Sequence, residues 1–281
     1  MKLIHVTDPH LVAPPAELMG IDGRRRLADA VASINTHHAD AEACIVTGDL
    51  THWAEPGAYA AFSGIMSELA LPWYPLIGNH DTRDGLRAVL PDLAWSADGF
   101  LHYTIETSAG RLLMLDTLDE GKASGRLCEA RLRWLRNELT RALADKCAVY
   151  LFMHHAPMAV GIHGVDAIRL ANGGDLAACL RGFTHVKHLF FGHLHRTCHG
   201  SWKGIPFSTV KATAHQVAPI FDDTTRLTAS RELPAYAVAL IGPDGVVVHD
   251  QSYLEEDAVI EYDRGAPEGS AVPDHQKGWS V

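Results

Sequence analysis

Five short segments of this chain carry side chains that bind metals or move protons. They are Asp8 with His10, Asp49, Asn79 with His80, His154 with His155, and His193 with His195. Each follows a short apolar run, and such a run ending in polar groups reads as a strand entering a loop. In open α/β sheets, sites form outside the carboxyl ends of the strands, so five such stops point to one shared site. Gly48, Gly78 and Gly192 precede three of these groups. Glycine there lets the backbone take positive φ or approach a ligand closely.

The elements that must position these groups alternate along the chain. Residues 2–7, 43–47, 73–77, 148–153 and 187–191 read as strands, and 24–38, 56–69 and 126–144 carry helical spacing. Pro56 suits a first helical turn. Residues 100–107 and 111–116 flank Ser108-Ala109-Gly110 as a hairpin, and 235–241 and 246–251 flank a second around Gly242-Pro243-Asp244-Gly245. Helices alternating with strands predict α/β layering. The segment 212–234 has weak periodicity and reads as a loop or cap. Residues 264–281 are rich in Gly, Pro and charge and read as a flexible tail.

Composition narrows the function. Of 281 residues, 47% are hydrophobic and 21% charged, which excludes disordered and fibrous classes. The net charge of −10 argues against a basic face tracking a nucleic-acid polymer. Metal ions would still let such a chain act on a single phosphate. The five cysteines, odd in number and without a CxxC pair, argue against a disulfide framework and a thiolate zinc site. A reducing, cytoplasmic setting is expected. The N-terminal segment reads as a strand and not a targeting peptide, and no apolar run suits a membrane span.

Taken together, Asp8-x-His10, Gly48-Asp49, Gly78-Asn79-His80-Asp81, His154-His155-x-Pro157 and Gly192-His193-x-His195 resemble the motif set of the calcineurin-like metallophosphoesterase superfamily. The set spans residues 8–195. Thr213-Ala214-His215-Gln216 and the late hairpin resemble its bacterial branch of class III cyclic-nucleotide phosphodiesterases and glycerophosphodiesterases. The resemblance implies a four-layer αββα sandwich, with a catalytic core over 1–211 and a C-terminal cap and hairpin region over 212–263. It implies two divalent or trivalent metal ions, Asp8, His10 and His195 around the first, Asn79, His154 and His193 around the second, and Asp49 shared. The implied activity is hydrolysis of small phosphodiesters, with a phosphomonoesterase or protein phosphatase on the same centre as the alternative. A homo-oligomer is also expected.

The chemistry agrees with the resemblance. Carboxylate, imidazole and amide donors without thiolate suit Mn, Fe, Co or Zn. Two such ions about 3.5–4 Å apart clamp a phosphoryl group and make hydroxide at neutral pH. His80 is left free to act on substrate, stabilising charge or protonating the leaving alkoxide. Asp81 either holds the other nitrogen of His80 or caps a helix over 82–89. His215 is a candidate substrate-binding residue. His155 is expected beside the ligands or packed, and His52, His163 and His199 either as rim residues of the site or, the safer reading, as solvated loop histidines. Arg83 reads as a surface salt bridge. Arg83 and Arg196 alone follow a ligand motif directly, too few cations for a monoester dianion, so a diester is expected.

Overall fold

The computed structural model of this chain describes residues 1–254. The chain order is β1 (Lys2–Val6), α1 (Gly23–His37), β2 (Ala43–Thr47), α2 (Pro56–Met66), β3 (Trp73–Leu76), α3 (Arg83–Val89), β4 (Tyr103–Thr107) and β5 (Gly110–Leu115). It continues through α4 (Glu129–Ala144), β6 (Val149–Met153), α5 (His163–Asp166), α6 (Gly173–Leu180), β7 (Val186–Phe191), β8 (Cys198–Trp202) and β9 (Ile205–Thr209). β10 (Gln216–Val217), β11 (Ala229–Ser230), β12 (Ala235–Gly242) and β13 (Gly245–Ser252) complete it.

Two sheets result. The first has the order β13-β12-β1-β2-β3, with β1, β2 and β3 parallel and β12 antiparallel to β1. The second has the order β4-β5-β6-β7-β9-β8, with β5, β6, β7 and β9 parallel. Side chains alternate across a strand, so a sheet covered on both faces must be apolar on both. The second sheet shows this. Leu112, Met114, Tyr150, Phe152 and Phe190 join the core shared with the first sheet, whereas Leu113, Leu115, Leu151, Met153 and Phe191 face α4 and α6. On the far side, α1 and α2 bury Leu27, Val31, Ile34, Tyr59, Phe62 and Met66 against the first sheet. The layers are therefore helix, sheet, sheet, helix. Each fully buried large apolar side chain contributes roughly 1.5–3 kcal/mol.

The structure departs from the sequence reading in several places, among them α5 and α6, which occupy segments where no element is expected. α4 begins at Glu129, because the Arg126 N–H is drawn to the Thr117 carbonyl at 2.9 Å and Cys128 stands at the N-cap. A hairpin, β8–β9, occupies 198–209, where no element is expected. The expected hairpin over 235–251 forms as β12–β13 and lies in the first sheet against β1, with β13 at its edge. The expected tail over 264–281 lies outside the described residues. Among the described residues no helix is long and apolar enough to cross a membrane.

Candidate metal centre

Every ligand-type group sits just beyond the carboxyl end of a parallel strand. Asp8 and His10 follow β1, Asp49 follows β2, Asn79 and His80 follow β3, His154 follows β6, and His193 and His195 follow β7. The turns that hold them are tight. Asp8, His10, Asp49, His193 and His195 all have φ between 45° and 68°. Left-handed backbone at a non-glycine residue costs roughly 1–3 kcal/mol and clusters at functional sites. Gly78 cannot be replaced, since a Cβ there would lie 2.1 Å from Asp49 Oδ1.

These turns bring the side chains to one buried point. His10 Nε2 lies 3.0 Å from His195 Nε2 and 3.3 Å from Asp49 Oδ2, and His195 Nε2 lies 3.3 Å from Asp8 Oδ1. On the other side of Asp49, its Oδ2 lies 3.5 Å from His154 Nε2. His154 Nε2 in turn stands 3.1 Å from Asn79 Oδ1 and 3.2 Å from His193 Nδ1. One oxygen of Asp49 thus faces two groups of donor atoms.

The outer hydrogen bonds fix which nitrogens face inward. His154 Nδ1 donates to the Thr47 carbonyl and His195 Nδ1 to the His215 carbonyl, each at 2.7 Å. A carbonyl only accepts, so these bonds leave Nε2 as the inward lone pair, the arrangement metal-binding histidines use. Asp8 Oδ2 accepts from Thr7 Oγ1 and the His193 N–H, while its buried Oδ1 has no hydrogen-bond partner. His193 Nε2 is likewise buried without one. Orphaned oxygens and converging lone pairs fit cations, and no cysteine stands among the ligand-type clusters of the described residues.

Electrostatics say the same. Burial disfavours the Asp49 charge, but His154 and His10 outweigh it and hold its pKa well below the usual carboxylate range. Burial also opposes charge on His154, yet Asp49 and then Asp8 raise its pKa to about 9. The two carboxylates thus demand positive charge between them. Burial keeps His193 and His215 neutral, each pushed down to about 3.

Around this centre the remaining expectations sort out. His80 Nδ1 donates to the His52 carbonyl at 2.8 Å, leaving Nε2 as the ring nitrogen available to the cleft. Asp81 neither holds His80 nor caps the helix. Its carboxylate accepts from the backbone N–H groups of Leu50, Thr51 and Gly78, and Thr82 caps α3. His155 is packed, with Nδ1 at Thr117 Oγ1 and Nε2 at the Ala123 carbonyl.

His52 lines the cleft, as the rim reading expects, and is not a solvated loop histidine. It is half-buried, its Nδ1 lies 3.0 Å from His10 Nδ1, and its ring stacks on His80 at 4.6 Å between centroids. A polar loop position gave no sequence signal for this. Arg83 makes the expected surface pair with exposed Glu120 at 3.5 Å, but its shorter bonds run inward, to both oxygens of fully buried Asp116 and to the Leu118 carbonyl, each at 2.9 Å. Arg196 turns away to Glu232. His163 and His199 do not line the cleft.

A cleft of about 230 Å³ opens onto the centre, lined by His10, Asp49, His52, Asn79, His80, His193, His195 and His215 and by Met19, Val165, Ile168, Val217 and Leu227. A larger cavity of about 700 Å³ opens at the other ends of the strands, by Met1, Lys187 and Gly245, away from every ligand-type cluster.

Comparison with known proteins follows the same geometry. A sequence model described as calcineurin-like phosphoesterase matches residues 1–197. A probable cyclic nucleotide phosphodiesterase of Rhodopseudomonas palustris is 38% identical over 90% of this chain and 93% of its own. A glycerophosphodiester phosphodiesterase of Enterobacter lignolyticus is 31% identical over 80% of this chain and 81% of its own. A dimetal phosphatase from Danio rerio shares the fold at a TM-score of 0.67, with 18% identity, 90% of this chain covered and 96% of the other.

Proposed function

This chain belongs to the calcineurin-like phosphoesterase family, and from that premise we propose that it is a dinuclear metal-dependent phosphodiesterase for small diesters, cyclic nucleotides or glycerophosphodiesters. Asp8, His10, Asp49 and His195 would hold one ion; Asp49, Asn79, His154 and His193 would hold the other. The observation that carries this is Asp49 Oδ2, 3.3 Å from His10 Nε2 on one side and 3.5 Å from His154 Nε2 on the other. Mn, Fe, Co or Zn suits these donors. When bound, such a pair supplies Lewis acidity and lowers the pKa of water.

The protein's own groups do the rest. Asn79 and His80 share one turn, so a phosphoryl group beside Asn79 lies within reach of His80 Nε2. His80 Nδ1 already donates to the His52 carbonyl, so donation from Nε2 requires the imidazolium. In that form it neutralises charge on the phosphoryl oxygens or hands its proton to the leaving alkoxide. His215, buried and with Nδ1 unpartnered, offers a further polar contact to substrate.

A diester is favoured over a monoester because the cleft lining contains no Lys or Arg among the described residues. Arg83 and Arg196, the two nearest in sequence to the ligands, are spent on Asp116 and Glu232. The second charge of a monoester dianion would go unmatched. Residues 1–211 carry every proposed ligand, and the segment from 212 shapes the mouth. The five free cysteines support a reducing, cytoplasmic setting, and edge strand β13 supports a homo-oligomer.

The test pairs metal counting with turnover. The full chain should hold two ions by elemental analysis, and Asp49→Ala should lose both. At matched metal and pH, kcat/KM for bis(p-nitrophenyl) phosphate should exceed that for p-nitrophenyl phosphate. The reverse order would promote the phosphomonoesterase alternative.

A further inference from the structure

The cleft has two unlike sides. One is the histidine and carboxylate centre. The other is a wall of Met19, Val165, Ile168, Val217 and Leu227, with Thr228 beside them. The wall is assembled from three separate stretches. Gly164 in α5 approaches Leu227 so closely that a Cβ there would meet Leu227 Cδ2 at 2.9 Å. The Arg231 guanidinium donates to the Met19 carbonyl at 2.9 Å, which ties the Met19 loop to the segment after β11. Met19 and Leu227 are each 47% exposed. Large apolar side chains left half in water along a cleft mark a surface that a ligand covers.

We propose that this wall is a subsite for the ester arm of the substrate, and that it selects an arm with a flat aromatic ring, as in a nucleoside phosphodiester, over a polyol or ammonium arm. The proposal rests on the phosphodiesterase reading and deepens it. A glycerol arm would lay its hydroxyls against Leu227, Val217 and Ile168 and lose their water without replacement. Among the described residues, an ethanolamine arm would find no carboxylate in the lining except Asp49, which faces the ligand cluster. A ring buries its apolar faces on the same wall and needs only one or two polar contacts at its edge. Thr228 lines the cleft, and its buried Oγ1 has no hydrogen-bond partner. At about 230 Å³ the cleft falls below the roughly 300–1,000 Å³ usual for ligand sites, which suits one ring and one phosphate and not a lipid or a polymer.

The experiment compares two diesters on the metal-loaded full chain, 3′,5′-cyclic AMP and glycerophosphoethanolamine, in wild type, Leu227→Asn and Leu227→Met. Leu227 is exposed, so its replacement spares the core. Wild type should favour cyclic AMP, and Leu227→Asn should lower the cyclic AMP to glycerophosphoethanolamine ratio of kcat/KM by about tenfold, mostly through KM. Leu227→Met should restore the ratio. Equal losses on both diesters, or a wild-type preference for glycerophosphoethanolamine, would overturn the proposal. Calorimetric binding of 5′-AMP and of glycerol 3-phosphate gives a readout without turnover. A chain that hydrolyses neither diester would overturn the phosphodiesterase reading alone. In that case AMP binding that is tighter than glycerol phosphate binding, and weakened by Leu227→Asn, still supports the wall, and equal binding of the two overturns it.

Discussion

Asp81→Ala should loosen the site without touching a ligand. The Asp81 carboxylate is buried and ties two ligand-bearing turns together. Its Oδ2 accepts from the Leu50 and Gly78 N–H groups at 3.0 Å, and its Oδ1 accepts from the Thr51 N–H at 3.1 Å and Thr51 Oγ1 at 3.2 Å. The first turn carries Asp49 and the second carries Asn79 and His80. Alanine would leave three buried N–H groups unpaired, at about 1–3 kcal/mol each. A term of opposite sign reduces this. Burial, and then the Asp49 charge, raise the Asp81 pKa to about 6, so ionised Asp81 already costs the fold about 3 kcal/mol at neutral pH, which alanine returns. The net loss should fall within about 0–6 kcal/mol, centred near 3, read as a lower urea midpoint at unchanged slope. Metal affinity and kcat should both fall, because Asp49 and His80 lose their common brace. Asp81→Asn should not rescue fully, since its NH2 would face N–H donors. Asp81→Ala with stability within 0.5 kcal/mol of wild type but activity abolished would refute the brace and place Asp81 on the substrate.

Three other outcomes are expected. His80→Ala should keep both metals by elemental analysis and lower kcat, with a larger loss for alkyl than for p-nitrophenyl leaving groups if His80 is the acid; loss of metal would rule out its proposed role. His52→Ala should weaken metal binding or activity by roughly 10–100-fold, because the His52 ring meets His10 through Nδ1 and stacks on His80, while the backbone carbonyl that holds His80 Nδ1 remains; unchanged metal affinity and kcat would show both ring contacts to be idle. Burial, and then the nearby charge of His199, hold the His188 pKa down at about 4. Between pH 6.5 and 4 the unfolded chain therefore binds a proton that the fold does not, and stability falls as pH drops through that window, by about 3 kcal/mol at most. Urea titrations of wild type and His188→Gln across it should diverge by that amount, and parallel curves would contradict the assignment.

The fold was legible where burial leaves a clear pattern. Strands covered on both faces are continuous apolar runs, so Ala43–Thr47 and Val149–Met153 stand out from a polar background, and the ligand groups mark where they stop. The β8–β9 hairpin is different. Cys198-His199-Gly200-Ser201 faces solvent and carries no alternation, although Lys203-Gly204, both at positive φ, forms the two-residue turn that would have revealed it. The hairpin β12–β13 was legible as a hairpin but not as part of the first sheet, because pairing with β1 joins residues more than 230 positions apart and nothing local records it.

The site was legible in its residue types and not in its supports, for a reason that lies in the backbone. Asp8, His10, Asp49, His193 and His195 hold positive φ, a conformation for which sequence normally advertises glycine. Here glycine would give the backbone freely but supply no donor atom. The chain instead keeps the donor and accepts roughly 1–3 kcal/mol of strain at each position. That strain is tolerable only where neighbouring contacts over-determine the turn. Those contacts are the ones the sequence did not disclose: Asp81 beneath Leu50, Thr51 and Gly78, His52 between His10 and His80, and the Thr47 and His215 carbonyls behind His154 and His195. Each is a long-range or main-chain contact, made by a residue whose type alone suggests a turn or a solvated loop. Ligands are recognisable by chemistry, whereas what holds them is recognisable only by geometry. By that argument glycine at His193 would relieve backbone strain and still weaken the site. His193→Gly should cost metal affinity while costing less stability than His193→Ala, and equal stability for the two would mean that the turn stores no strain.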